Sequence, residues 1–479
     1  MDRSNIIVRP NNARVIIKAF YPPSEQQAFH IMARILMLSE DDVTRRLTEV
    51  FANFSDRHLN IQTFFETRFE QVRSLVMSDC ALSRNRRLLI GAYFSHEYSL
   101  EASALFNPSM VPHPDQSGIP EGSLRFILSL RSTGEGHISS ITFRSGVIDA
   151  HQGLEMDPPS KFAAAISPIP NAAFDKALFA RKLQELGLAG DPAGRILASL
   201  NDSFTFAELE HAIQQIERSV GRRQEDNFIA RGMQLLARSN YEVEFPEPYT
   251  LSERVLFPAS PSQINGIEDA RFVPFRERDG STIYYATYTA YDGKIILPQL
   301  LETRDFRRFK FSTLNGTEAK NKGMALFPRM IRNLYAMIAR VDGENLSLMY
   351  SDNLHFWYET RIIARPTFTW ETIQIGNCGS PIETERGWLL LTHGVGPMRK
   401  YCIGAILLDL EDPSLVIGRL RDPLIMPREE EREGYVPNVV YTCGCLLHAG
   451  TLFIPYGIAD HATTFATVPL DRILKAMTT

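Results

Sequence analysis

The stretch Trp388-LLLTHGV is a run of aromatic and aliphatic residues that ends in a polar and small cluster. The same design recurs as Arg125-FILSLRST, Tyr284-YATYTAYD, Tyr335-AMIARVD and Leu452-FIPYGIAD. Short β-prone runs bounded by turn residues predict strands. The last four copies begin about 50 to 65 residues apart, which is the spacing of four-stranded propeller blades and not of helical repeats. Further strands with turn punctuation stand between the copies, at Thr303-RDFRRFK, Ser351-DNLHFWY and Leu408-DLEDPSLVIGR. One copy alone has no core, and stacked neighbours supply it, so a closed ring of five is the economical arrangement. The expected fold class is mainly β, a five-bladed β-propeller.

The gap between the first two copies is longer because a helical block, about residues 160–240, interrupts the first blade. Helix starts are expected at Asn171 and at Thr205, where Thr-Phe-Ala-Glu reads as a capping box. Leu209, Ala212, Ile213 and Ile216 give the second helix an apolar stripe. Before the propeller, residues 1–98 read as a helical extension. Ser39 caps a helix with Val43, Leu47, Val50, Phe51 and Phe54 on one face, and a second helix is expected from about Gln62 to Met77. Two helices cannot bury both faces alone, so they are expected to pack on the rest of the chain or on another subunit. Residues 99–479 are the expected propeller unit, and homo-oligomerisation through the added helices is one consequence of their apolar stripes.

The composition sets further bounds. In 479 residues, 51 basic against 56 acidic side chains leave a net charge of −5, which excludes a strongly basic nucleic-acid binder. With 44% hydrophobic and 22% charged residues the chain can fill a large core. Five cysteines (Cys80, Cys378, Cys402, Cys443 and Cys445) are odd in number and thinly spread, which suits a reducing compartment. No signal-peptide apolar region opens the sequence and no stretch is long enough for a membrane span, so the expectation is cytoplasmic, with neither membrane nor nucleic acid as partner.

In a propeller the polar ends of the repeated runs point into a central funnel, which nominates Arg131, Asp292, Arg340, His393 and Asp460. Just before the second run stands Asn265-GIEDAR. In extended backbone Asp269 and Arg271 share one face and Glu268 takes the other, so a carboxylate would lie beside a guanidinium. A surface ion pair has the same local signature. Cys443, Cys445 and His448 are too few for a zinc site, and no phosphate-loop, dinucleotide or Ser-hydrolase motif is present. The run Glu429-EEREG reads as a solvated acidic loop. No cofactor is implied.

Ile267-EDARF, Tyr285-ATYTAYDG, Gly376-NCGSPIETERGWLLLTHGV, Ile403-GAILLDLEDPSLVIGR and Tyr435-VPNVVYTCG resemble the sequence blocks of glycoside hydrolase family 130, the β-mannoside phosphorylases and β-1,2-mannosidases. Phe106-Asn-Pro and Leu130-Arg add a weaker first-blade match, so the resemblance spans about residues 100–150 and 245–479. The helical segments have no counterpart in it. The resemblance implies a five-bladed propeller, a β-mannoside oligosaccharide as substrate, and Asp269 as the general acid that protonates the glycosidic oxygen through a sugar hydroxyl. Ala270 stands where the family motif usually has Pro.

With phosphate as nucleophile the product would be α-mannose 1-phosphate; with water it would be mannose. Phosphate needs multi-donor, cationic partners, and Arg131, Arg271, Lys322, His393 and Tyr401 are the candidates. Asn107, Asp292 and Asp460 are candidates for holding sugar hydroxyls. Trp388, Phe327 and Tyr288 are either core or sugar-stacking residues. His137 occupies a position where a second cation is expected, and Glu135 beside it would be the base of a hydrolase. The leading expectation is an inverting β-mannoside phosphorylase, a glycosyltransferase-type enzyme with inorganic phosphate as co-substrate. The alternatives are an inverting β-1,2-mannosidase and a sugar-binding propeller without activity.

Overall fold

The computed structural model describes residues 1–77, 81–166, 168–169, 173–220, 224–291 and 296–478. The chain is mainly β. Among the described residues it forms five sheets of four to six strands, two two-stranded ribbons, and two groups of helices. Each of the five repeated runs is a strand of a different sheet: Leu124–Thr133, Thr282–Tyr291, Tyr335–Ala339, Gly387–Val395 and Thr451–Ile458. In every sheet the run lies one strand in from the edge. The edge strand before it is Ala104–Pro112, Ile267–Arg276, Ala325–Leu326, Gln374–Asn377 or Val440–Tyr441.

These edge strands hold neighbouring sheets together. The Phe272 amide donates to Ser109 Oγ at 3.1 Å, joining the second sheet to the first. Thr287 Oγ1 donates to the Met324 carbonyl at 2.5 Å, and Asn377 Nδ2 donates to the Gly323 carbonyl at 2.6 Å. The Tyr401 amide reaches the Asn438 carbonyl at 3.1 Å, and the Cys443 amide reaches the Pro108 carbonyl at 2.8 Å, from the fifth sheet to the first. Between the sheets lie packed side chains. Phe143, Phe272, Phe306 and Phe309 pack with ring centroids 5.5–6.2 Å apart, and such pairs add ~1 kcal/mol each beyond the area they bury. Trp388 and Phe327, both fully buried, meet edge to face at 5.1 Å; Tyr288 is 2% exposed, and its hydroxyl donates to Gln299 at 2.6 Å. All three aromatics are core residues.

The helices form where their caps predict. Ser39 Oγ accepts the Asp42 amide at the head of helix Glu40–Phe54, whose first turn is acidic. Thr205 and Glu208 exchange capping-box hydrogen bonds before helix Phe206–Val220. The start expected at Asn171 lies outside the described residues. The helix expected over 62–77 is Ile61–Val72, which tightens into a 3-10 turn at Arg73–Leu75. Helices Glu25–Leu36 and Arg84–Tyr93 complete this group, so Val43, Phe69, Leu89 and Ile90 share a core with Met32 and Ile35. The inserted group has its own core around Leu183, Phe204, Leu209, Ile213 and Met233. Val43 and Leu47 of the first stripe and Leu209, Ala212 and Ile213 of the second are thereby buried within the chain, while Phe54 at the end of the first stripe stays exposed.

The first residues are not helical. Strand Asp2–Val8 pairs with Ala462–Pro469 as the outer strand of the fifth sheet. Arg3 pairs with Glu431, which the sequence placed in a solvated loop but which is 6% exposed. Glu431 also accepts from the Tyr456 hydroxyl at 2.6 Å. Among the described residues no helix is long and apolar enough to cross a membrane.

Candidate active site

Three polar residues in left-handed backbone converge at one end of the edge strands: Asn107 (φ 48°), Asp269 (φ 55°) and Asp460 (φ 51°). Asn and Asp tolerate this region better than other side chains, and residues held there concentrate at functional sites. Asn107 and Asp269 each sit in a β-bulge, where the pairing register slips between Phe106 and Ser109 and between Glu268 and Arg271. A bulge breaks the alternation of faces and re-aims side chains. Glu268, expected on the face opposite Asp269, is consequently turned into the same site.

Asp269 is surrounded by donors. Asn107 Nδ2 donates to its Oδ1. Arg131 Nη1 lies 3.7 Å from Oδ1, and Arg271 Nη2 lies 3.8 Å from Oδ2. Burial pushes the carboxyl's pKa up, but Arg271, Arg131, Lys322 and the Asn107 hydrogen bond outweigh it and hold the group below the usual aspartate value. Arg271, 2% exposed, also donates to the Asp269 carbonyl at 3.0 Å and to the Tyr441 hydroxyl at 2.7 Å. Arg131 donates to Ser139 Oγ at 2.9 Å and to Glu268 at 2.8 Å, and Lys322 reaches the other Glu268 oxygen at 2.7 Å. Lys322 is thus an ion-paired residue of this cluster.

Asp460 follows strand Thr451–Ile458 in a tight turn with Ala459, also at positive φ. Burial raises its carboxyl to about 7; Asp269 and Glu268 push the same way, against Arg131 and Arg399. Two carboxyls of one site are therefore driven in opposite directions. That separates an ionised group from one able to hold a proton near neutrality.

His393 is 3% exposed and neutral. Its Nδ1–H donates to the Asn377 carbonyl at 3.0 Å, and Nε2 accepts from Arg340 at 3.2 Å. Burial, with Arg340 beside it, depresses its pKa to about 3. It contributes no cation of its own, and its Nε2 holds the Arg340 guanidinium. Gly376 leaves room for the ring, since a Cβ there would lie 2.4 Å from His393 Cε1. Tyr401 stacks on His393 at 5.9 Å.

Glu135 is exposed in the turn Glu135–His137. Its charge acts on Lys18 and Tyr98, and no described hydrogen bond or ion pair joins it to Asp269. His137 packs its ring against Tyr435 at 5.7 Å. Asp292 lies outside the described residues. Cys378 and Cys443 are buried free thiols close enough to act electrostatically with Arg271, and burial raises Cys378 to about 12. No group of three metal-ligating side chains occurs among the described residues.

Sequence reasoning placed Arg340 at the funnel but not among the anion-binding residues. The signal was available: Arg340 is the sixth residue of the run from Tyr335, as His393 is of the run from Trp388, so the two occupy one position of the repeat. Tyr441, which positions Arg271, had no comparable mark.

A family model described as β-1,4-mannooligosaccharide phosphorylase, that of glycoside hydrolase family 130, matches residues 240–479. The chain is 37% identical over 231 residues to the 1,2-β-oligomannan phosphorylase of Thermoanaerobacter sp. (strain X514), a match covering 47% of this chain and 75% of that protein. It is 30% identical over 242 residues to the β-1,2-mannobiose phosphorylase of Listeria innocua, covering 48% of this chain and 65% of that one. The solved structure of the Listeria innocua β-1,2-mannobiose phosphorylase in complex with β-1,2-mannobiose superposes with a TM-score of 0.46 at 22% identity, covering 78% of this chain and 92% of that chain.

Proposed function

The chain belongs to glycoside hydrolase family 130, and from that premise we propose that it is an inverting β-mannoside phosphorylase releasing α-mannose 1-phosphate from manno-oligosaccharides. The observation that carries the reading is the charge of the site. Arg131, Arg271 and Lys322 lie against the carboxyl groups of Glu268 and Asp269, and Arg340, beside His393, adds a further cation, so the cluster carries an excess of positive charge. A phosphate dianion matches that excess, and a partly desolvated dianion needs multi-donor cations. Water as nucleophile needs no such excess; it needs an opposed carboxylate, and Glu135 is exposed in its turn.

In this mechanism Asp269 is the general acid, acting on the glycosidic oxygen through a sugar hydroxyl, and phosphate attacks the anomeric carbon from the opposite face. The free site disfavours a proton on Asp269 because three cations outweigh its burial. A bound dianion offsets those cations and leaves burial dominant, so co-substrate binding loads the acid. Asn107 and Asp460 hold sugar hydroxyls beside it. The five sheets are the blades of a propeller, supported by the hydrogen bonds that join successive sheets and return from Cys443 to Pro108. Residues 99–479 are the catalytic unit, with the helical insertion at about 160–240 and an N-terminal extension over 1–98 whose strand Asp2–Val8 joins the last sheet.

Incubation with β-1,2- and β-1,4-mannobiose, with and without inorganic phosphate, tests the reading. Phosphate-dependent mannose 1-phosphate is the expected product, and the disaccharide consumed identifies the linkage. Free mannose formed at the same rate without phosphate would make the enzyme a mannosidase.

A further inference from the structure

Glu268 engages two of the cations before any anion arrives. Its Oε1 accepts from Arg131 Nη2 at 2.8 Å and its Oε2 from Lys322 Nζ at 2.7 Å, with only 12% of its side chain exposed. Arg131 has a further donor, Nε, committed to Ser139 Oγ. Arg271 differs: it faces Asp269 and Tyr441, and its Nε has no partner. Arg340 likewise has an unpartnered Nε and spends Nη1 on the neutral His393. The cations therefore fall into two pairs: Arg131 and Lys322 share the one carboxylate of Glu268, whereas Arg271 and Arg340 each keep an unpartnered Nε.

We infer that Glu268 is an internal competitor for the co-substrate: it holds Arg131 and Lys322 in the free enzyme, and the incoming phosphate must draw one or both from it. The inference rests on the phosphorolysis reading of this site. A carboxylate that forms two charge-assisted hydrogen bonds loses them on displacement and is then left beside a dianion. Glu268 thus weakens phosphate binding and makes release of a phosphorylated product easier. It can do so because the bulge at Asp269 turns two consecutive acidic residues into one site. Regular pairing would point Glu268 away.

Glu268→Gln keeps the size of the side chain and removes its charge, and Glu268→Ala removes the competitor outright. Each is compared with wild type in two ways: calorimetric titration with inorganic phosphate, and steady-state kinetics in which phosphate and mannobiose are varied separately. The expected result is phosphate binding tighter by about tenfold, about 1.4 kcal/mol, with a matching fall in phosphate KM and an unchanged mannobiose KM. A loosened site would raise both KM values, so the split separates competition from structural damage. Phosphate-dependent turnover with an equal or higher phosphate KM in both variants would overturn the competition and leave phosphorolysis standing. Wild-type protein that neither binds phosphate nor needs it for turnover overturns both.

Discussion

Asn107 and Asp269, 162 positions apart in the chain, face each other from two β-bulges, both in left-handed backbone and joined by a hydrogen bond from Asn107 Nδ2 to Asp269 Oδ1. Each bulge belongs to the edge strand of a different sheet. The contact therefore depends on how two sheets dock, and the Ser109–Phe272 hydrogen bond a few residues away fixes that docking. An amide donor at this place stabilises the ionised carboxylate and fixes its orientation.

Replacing Asp269 by Asn removes the transferable proton at nearly constant volume, and Asn tolerates the same positive φ. Turnover is expected to fall by about a thousandfold or more, with the fold retained and a single cooperative thermal transition. The rate of mannose 1-phosphate formation and a thermal melt check this. Wild-type activity in the variant would place the acid elsewhere.

His393 carries its pKa near 3 in the folded protein, against 6.5 when unfolded. The unfolded chain then binds the extra proton between these values, so the contribution of His393 to stability is fully present above about pH 6.5 and is lost as pH falls toward 3. His393→Asn is expected to flatten the acid limb of stability against pH by a slope of up to ~1.4 kcal/mol per pH unit in that window. Urea unfolding at a series of pH values measures it, and parallel curves would mean that His393 is protonated in the native state.

Asp460 has the opposite sign. Its folded pKa of about 7 lies above the ordinary 3.8, so the native state holds a proton that the unfolded chain has released. Stability falls as pH rises from about 4 to 7. Asp460→Asn is expected to match wild type near pH 4 and to be more stable at pH 8 by about 2 kcal/mol, after allowance for partial exposure. The sugar contact weakens in the same variant, raising the mannobiose KM. A stability difference independent of pH would show that the carboxyl is ionised throughout.

Glu431 ties the N-terminal strand to the fifth sheet. It accepts from Arg3, from the Arg428 amide at 2.9 Å and from Tyr456 at 2.6 Å. Glu431→Ala leaves a guanidinium and a phenol without their partner, and the loss of such a buried pair costs about 3 kcal/mol. The denaturation midpoint is expected to drop without a change in the denaturant slope. An unchanged midpoint would mean that strand Asp2–Val8 adds little to the sheet.

Legibility followed the range of the interactions. The β runs announced themselves through composition and spacing, and the caps at Ser39 and Thr205 were readable because a cap needs only the next three residues. Helices Glu25–Leu36 and Arg84–Tyr93 also carry serine caps, but the core they share with Val43 and Phe69 is assembled only in the fold. Glu431 reads as a solvated loop residue for want of a nearby partner in sequence, and its partner is Arg3; Lys322 was legible as a cation, but not its pairing with Glu268. His393 was legible as a site residue but not as a neutral one, since its charge is set by burial and by Arg340.

What the sequence by itself determined is the repeated β pattern, the place of the helical block, and the family to which residues 240–479 conform. These reside in local composition and in the order of motifs along the chain. The tertiary structure alone decided that Glu268 turns toward Asp269, that Arg131 and Lys322 share it, and that Asp269 and Asp460 differ in their hold on a proton. A strand pattern of period two cannot announce a bulge set by sheet docking, and a pKa is the sum of burial and charges brought from distant parts of the chain.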